Sequence, residues 1–189
     1  MKTKFLLIVT LTSFLYLTGC SSNDDEVKAN KSLTGASSVS KSSVINQMYP
    51  QAQEEVLEAF QAIGQAITLG AGNGYNGEYM DKLISFHAYG DKFTEFNNGE
   101  LLGSAENEDH ERTLFGETVD PDGVKKFDAL PGTLKVAVYY GNVANLTFIS
   151  DFILQIGGVE HTVNNLITLL FVKTNDGWKM VHEHHSPMK

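Results

Sequence analysis

From residue 133 to residue 186 the chain is written as strand, turn, strand, and no other stretch limits its fold as severely. Runs 134–140, 143–156 and 159–173, and a last run led by Trp178, are separated by Gly141-Asn142, Gly157-Gly158 and Asn175-Asp176-Gly177. Glycine and asparagine accept the left-handed backbone of tight hairpins. Consecutive hairpins make an antiparallel meander. Two of the runs pass 12 residues, well beyond the usual strand of about five or six, which demands a strongly bent sheet with bulges.

Ahead of the meander the period changes. Pro50 suits a first helical turn, and Val56, Phe60, Ile63 and Ile67 recur behind it at helical spacing. Gln51, Gln53, Glu54, Glu55 and Glu58 supply the polar side. The glycine-rich segment Gly70-Ala71-Gly72-Asn73-Gly74 follows a helix. A phosphate cradle needs a strand before it and a helix directly after, so this segment is a helix terminator. Residues 76–86, with Tyr79, Met80, Leu83 and Ile84, predict a second helix, and 92–96 a short strand turning at Asn97-Asn98-Gly99. The span 106–122 is acidic and irregular, with one helical turn around His110 to Phe115. Asp120-Pro121-Asp122-Gly123 lacks the remaining ligands of a calcium loop and reads as a solvated turn. A curved antiparallel sheet wrapped around N-terminal helices is an α+β fold.

The N-terminus is an address. Lys2 and Lys4 precede an apolar run, 5–17, too short to span a bilayer. It closes on Leu17-Thr18-Gly19-Cys20, which resembles the lipobox of bacterial lipoproteins. That resemblance implies cleavage before Cys20 and its lipidation. Cys20 is the single cysteine, so no disulfide is available. Ser21 and the acidic Asp24-Asp25-Glu26 resemble signals that direct lipoproteins to the outer membrane, periplasmic side or cell surface; alternatively they begin a solvated linker. Ser, Lys and Asn then dominate without periodicity up to Met48. As a flexible tether this segment reaches roughly 30 Å. The expected organisation is a signal peptide at 1–19, lipidated Cys20 with its tether at 20–48, and one domain at 49–189. The chain has 14 basic and 23 acidic side chains, and loss of Lys2 and Lys4 leaves 12 against 23, a net charge near −11. So acidic a chain is repelled by nucleic acid and by anionic lipid surfaces.

Gly177-Trp178, Val181-His182, His184 and Ser186 resemble the closing strand of SnoaL-like domains in the nuclear transport factor 2-like superfamily. They are similar also to the end of the calcium/calmodulin-dependent protein kinase II association domain. The likeness spans residues 49–186 and implies a cystatin-like cone. Isomerases, cyclases, dehydratases and non-catalytic assembly domains share that fold, so the resemblance does not select an activity. It implies that the stretch after the second helix lines the mouth of the cone, at His87, Tyr89 and Asp91, and that dimers form.

On a regular strand Trp178, Met180, His182 and His184 share one face. Trp178, His182 and His184, with Tyr89 and Phe148, are the expected ligand pocket. Asp151 lies between Ile149 and Ile153 on one of two alternating faces. Pointed inward, its charged form would be disfavoured and it would serve as an acid or base near neutral pH. In some isomerases of the superfamily an aspartate does so. Pointed outward, it is solvated or at a subunit contact, and alternation alone does not say which face is concave. The catalytic candidates are therefore Asp151, His184 and His182. A metal on His182 and His184 would need a third ligand from His87, His161 or Asp151, with no motif behind any of them, so neither metal nor cofactor is expected. The expectation is an envelope-anchored domain whose cone binds a small organic ligand. An isomerase or lyase using a pocket Asp or His, and a dimerising assembly module, are the alternatives, and a homodimer accompanies any of them.

Overall fold

Residues 48–188 are described in this computed structural model. The signal segment, Cys20 and all of the tether except Met48 lie outside the described residues. Helix α1 (Pro50–Gly70) opens on proline and buries Ala52, Val56, Phe60, Ile63, Ala66 and Ile67, a single apolar stripe at helical spacing. That stripe lies against the sheet, where the Phe60 ring meets Phe148 edge-on at 5.0 Å. Glu55, from the polar side, accepts hydrogen bonds from Trp178 Nε1 at 3.0 Å and Lys173 Nζ at 2.6 Å.

Helix α2 (Glu78–Ile84) buries Met80 and Leu83. A short hairpin, β1 (Thr94–Asn97) and β2 (Glu100–Leu102), leads into α3 (Ser104–Glu111), which widens into a π-helical segment at Arg112–Thr118. The acidic span expected to be irregular is therefore largely helical. The inward positions of α3 are Asn107 and Glu111, so that helix presents no apolar stripe for periodicity to detect, and the buried Phe115 and Val119 come only in and after the π-helical segment. Tertiary bonds hold it instead. Arg112 reaches Glu108 and Asp81, each at 2.9 Å, and the Tyr75 carbonyl at 3.0 Å. The glycine-rich loop completes the clamp, since the amides of Gly72 and Gly74 donate to the carbonyls of Phe115 and Gly116 at 2.8 Å.

The remaining strands are β3 (Val124–Ala129), β4 (Lys135–Tyr139), β5 (Val143–Ile156), β6 (Val159–Val163), β7 (Asn165–Thr174) and β8 (Gly177–Pro187). All three expected hairpin turns are found. The sheet is nonetheless larger and more mixed than a four-stranded meander. Eight strands join in the order β2-β1-β8-β7-β5-β3, with β4 and β6 also on β5, and β1 runs parallel to β8. Asp120, in the expected solvated turn, accepts the amides of Gly157 and Gly158 at 2.8 and 2.7 Å and so ties down the β5–β6 hairpin.

The run expected as one strand over 159–173 breaks at Asn164. Ser150 makes the corner. Its hydroxyl donates to the Val163 carbonyl at 3.0 Å and accepts the Asn165 amide at 2.8 Å, while Asn164 Nδ2 donates to the Ser150 carbonyl at 2.7 Å. Along β5, Ala144, Leu146, Phe148, Ser150, Phe152 and Leu154 are all buried. The even-numbered face is therefore concave. Asp151 consequently stands on the convex side, paired with Lys126 Nζ at 2.5 Å; the outward of its two readings holds, and its place among the catalytic candidates is corrected.

Candidate functional site

One extra residue in β8 decides what points into the cone. Phe171 pairs with Met180 and its neighbour Leu170 with His182, leaving Val181 as a bulge. A shift of one residue turns every later side chain to the opposite face. Trp178 and Met180 are buried as expected. Beyond the bulge the inward residues become Glu183, opposite buried Leu169, and His185, opposite buried Ile167. His182 and His184 are thereby turned to the convex face, where the Phe96 ring edges against both at 5.3 and 6.1 Å. The pocket placement of His182 and His184 is thus corrected. His182 Nδ1 lies 3.0 Å from the Thr94 carbonyl and 2.9 Å from its hydroxyl.

Three other elements converge on Glu183. The parallel strand β1 sets Glu95 beside it. His87 arrives from the end of α2 because the amides of Ala88 and Met180 bond across to the Met180 and Phe86 carbonyls, at 2.7 and 2.8 Å. Helix α3 contributes Asn107 and Glu111, one turn apart on its inner face. His87, Glu95, Asn107, Glu111 and Glu183 are all buried.

The ring of His87 is held at both nitrogens. Nε2 lies 2.7 Å from Glu183 Oε1 and Nδ1 3.2 Å from the Leu83 carbonyl. Both partners only accept, so the doubly protonated imidazolium satisfies both. Burial alone would push His87 down, but the charge and hydrogen bond of Glu183 outweigh it and hold the group above its ordinary value. His185 Nε2 approaches the other oxygen, Glu183 Oε2, at 3.3 Å and is likewise raised by that carboxylate against the effect of burial. Glu183, in turn, would be raised by burial, yet the two imidazoles keep it far below the usual carboxylate range. It is a carboxylate held between two imidazoles.

Glu111 has the opposite fate. Burial first, then the charges of Glu183 and Glu95, push its carboxyl up to about 8, with His87 opposing. Its carboxyl makes no side-chain hydrogen bond among the described residues. Since no buried side-chain polar atom there is left unpaired, the Glu111 oxygens keep contact with solvent. Beside it, Asn107 Nδ2 donates to Glu95 Oε2 at 2.7 Å, and the Tyr89 hydroxyl donates to Asn107 Oδ1. The Tyr89 ring stacks on His87 at 4.8 Å. Burial and the surrounding carboxylates push the Tyr89 phenol up, so it remains a donor at physiological pH.

Of the expected pocket residues, the structure brings Tyr89 into this cluster and places Phe148 and Trp178 deeper, under α1. Asp91 is exposed, as is His161 on β6. Among the described residues no group of three or more His, Asp or Glu side chains has the arrangement of a metal site. Sequence reasoning missed Glu95, Asn107, Glu111, Glu183 and His185. The i, i+4 pair Asn107 and Glu111 was the one legible signal. Glu183 and His185 were hidden, because the bulge that turns them inward has no residue signature.

The SnoaL-like domain model matches residues 80–189, a span that contains every member of the cluster. No match is found among curated proteins. Solved structures of similar fold include a putative dehydratase of the nuclear transport factor 2-like family from Streptomyces avermitilis, 19% identical, covering 74% of this chain and 98% of that one with a TM-score of 0.59. A nuclear transport factor 2-like superfamily protein from Salmonella enterica is 17% identical, covering 74% and 94%, with a TM-score of 0.59. The calcium/calmodulin-dependent protein kinase II hub homology domain of Chlamydomonas reinhardtii is 22% identical, covering 74% and 100%, with a TM-score of 0.56.

Proposed function

This chain belongs to the SnoaL-like domain family, and from that premise we propose that its cone binds a small organic molecule at a proton-transfer site. The chemistry is of the isomerase or lyase kind. The observation that carries this reading is two buried carboxyls of one cluster in opposite surroundings, Glu183 against His87 and His185 and Glu111 with no side-chain partner among the described residues, which holds Glu183 below the ordinary carboxylate range and raises Glu111 above it. Environments that drive titratable groups apart in this way assign acid and base roles. With its carboxyl pushed up to about 8, Glu111 is mostly protonated at pH 7. It donates that proton to a departing hydroxyl, which leaves as water, and its carboxylate recovers one from the adjacent carbon as the double bond forms. In an isomerisation the same group moves a proton between two carbons. Glu183 with His87 and His185 fixes the local field, and Asn107, oriented by Glu95, holds the Tyr89 ring over His87.

The test is turnover of β-hydroxy carbonyl compounds and deuterium uptake into enolisable ketones, followed by NMR, for the wild type and Glu111→Gln. Loss of turnover in a variant that melts no lower supports the assignment. Equal turnover in both would remove Glu111 from the chemistry.

The domain acts at the cell envelope, tethered through lipid on Cys20. A homodimer through the convex face is favoured by one observation, the exposure of Phe96 (47%) and Leu166 (49%) on that face of the sheet. Leu166→Glu is expected to convert a dimer to a monomer in light scattering. A wild type that is already monomeric at micromolar concentration would end that reading.

A further inference from the structure

Among the described residues only one bulky side chain sits on left-handed backbone, and it lies where the tether enters the domain. Two tight hairpins place both central residues at positive φ using residues that tolerate it, Asn98-Gly99 (52° and 92°) and Gly157-Gly158 (58° and 80°). The β4–β5 hairpin instead uses Tyr140-Gly141 (54° and 72°), closed by the Asn142 amide on the Tyr139 carbonyl at 3.2 Å. A tyrosine is disfavoured there. Nothing inside the fold compensates, for Tyr140 is 86% exposed and Tyr139 41%. A broken local rule without an internal gain marks a position kept for what it meets outside.

The neighbours say what that is. A Cβ on Gly141 would stand 3.4 Å from the Tyr49 ring, so the turn abuts the residue that starts α1. Met48, the first described residue, is itself exposed. The geometry points to the Tyr139-Tyr140 turn as a membrane-contact tip, which sits in the headgroup layer of the bilayer holding the lipid on Cys20. This rests on the lipid-anchor reading given above. Tyrosine, with an apolar ring and a polar tip, favours that layer. The 28 residues after Cys20, Ser21 to Met48, reach roughly 30 Å as a flexible chain, and a tethered tip meets the surface at an effective concentration on the order of millimolar. A weak contact therefore suffices to orient the domain.

The orientation has a functional consequence. The amide of Lys173 bonds to the Asn142 carbonyl at 2.8 Å, so the β7–β8 turn shares the tyrosine end. Strand β8 then runs about 20 Å, at ~3.3 Å per residue, before it reaches Glu183. The Glu111–Glu183 cluster is held away from the bilayer, facing the aqueous compartment from which a soluble ligand arrives.

The experiment places tryptophan at Tyr140 and, separately, at Tyr79. Tyr79 is also exposed but sits against Gly70, about 30 Å away along α1 by its ~1.5 Å rise. The lipidated full chain is reconstituted in vesicles of zwitterionic phosphatidylethanolamine and phosphatidylcholine with brominated acyl chains, so that the acidic chain meets no anionic surface, and the wild type supplies the background of buried Trp178. Tyr140→Trp is expected to lose emission and shift to the blue, while Tyr79→Trp keeps its emission. Vesicle-bound chains in which neither tryptophan is quenched, or both equally, overturn the orientation. A chain whose Cys20 carries no lipid and that stays off the vesicles overturns the anchor reading and the orientation together.

Discussion

Replacing Glu111 by glutamine removes a titration while keeping the shape of the side chain, and its effect on stability follows from the displaced carboxyl. An unfolded Glu111 ionises near 4.5, whereas in the fold it does so at about 8. The group is raised, so its contribution is fully present below pH 4.5, declines as pH rises, and is entirely lost above about 8. Each unit of displacement corresponds to about 1.36 kcal/mol. At pH 7 the wild type has given up about 3 kcal/mol of stability to keep Glu111 protonated, and by pH 9 about 5 kcal/mol. Glutamine, neutral at every pH, avoids both losses. Glu111→Gln is therefore expected to match the wild type near pH 4, exceed it by about 3 kcal/mol at pH 7, and exceed it by about 5 kcal/mol at pH 9. The comparison cancels the titration of His87, His185 and Glu183 to the extent that glutamine leaves their field alone. Urea unfolding followed by circular dichroism at a series of pH values measures it. Two stability curves that run parallel from pH 4 to pH 9 would refute the reasoning, for they would mean that Glu111 ionises alike in both states.

Three further outcomes follow from other contacts. Glu183→Gln leaves the His87 and His185 rings without their anion and is expected to destabilise by about 3–5 kcal/mol in urea unfolding, and to lower the NMR-observed His87 titration. Gly116→Ala would set a Cβ 2.7 Å from the Gly74 carbonyl, and this forced shift of backbone is expected to lower stability by about 1–3 kcal/mol. Tyr140→Asn supplies the residue that the turn prefers and is expected to raise thermal stability by the equivalent of about 1 kcal/mol, measured by calorimetry on the domain in solution.

The legible part of the fold is the part written by local rules. Gly157-Gly158 and Asn175-Asp176-Gly177 are turns wherever they occur, and the Val56, Phe60, Ile63, Ile67 stripe has one apolar face in any helix. The clamp of the 106–122 segment was not legible, because Arg112 finds Asp81 and the Tyr75 carbonyl across the fold and the inward face of α3 is polar. Nor was β3, whose pairing with β5 shifts register between Val124 and Lys126.

The candidate site divides along the same line. Residue types and spacing were enough to mark the stretch from Trp178 to Ser186 as the wall of a cone, and the superfamily resemblance agreed. They were not enough to choose between the two faces of that strand. A single unpaired residue, Val181, sets the phase: β7 pairs with both halves of β8, and on its other side the Phe86–Ala88 backbone holds Met180 while β1 holds His182 to His185. From that one offset follow the inward turn of Glu183 and His185, the outward turn of His182 and His184, and a field that lowers the carboxyl of Glu183 and raises that of Glu111. The amino-acid order by itself determined the hairpins, the helices and the α+β class, since those depend on near neighbours. Tertiary structure alone decided the chemistry of the cluster, since a pKa depends on which charges meet in space and how far water is kept from them.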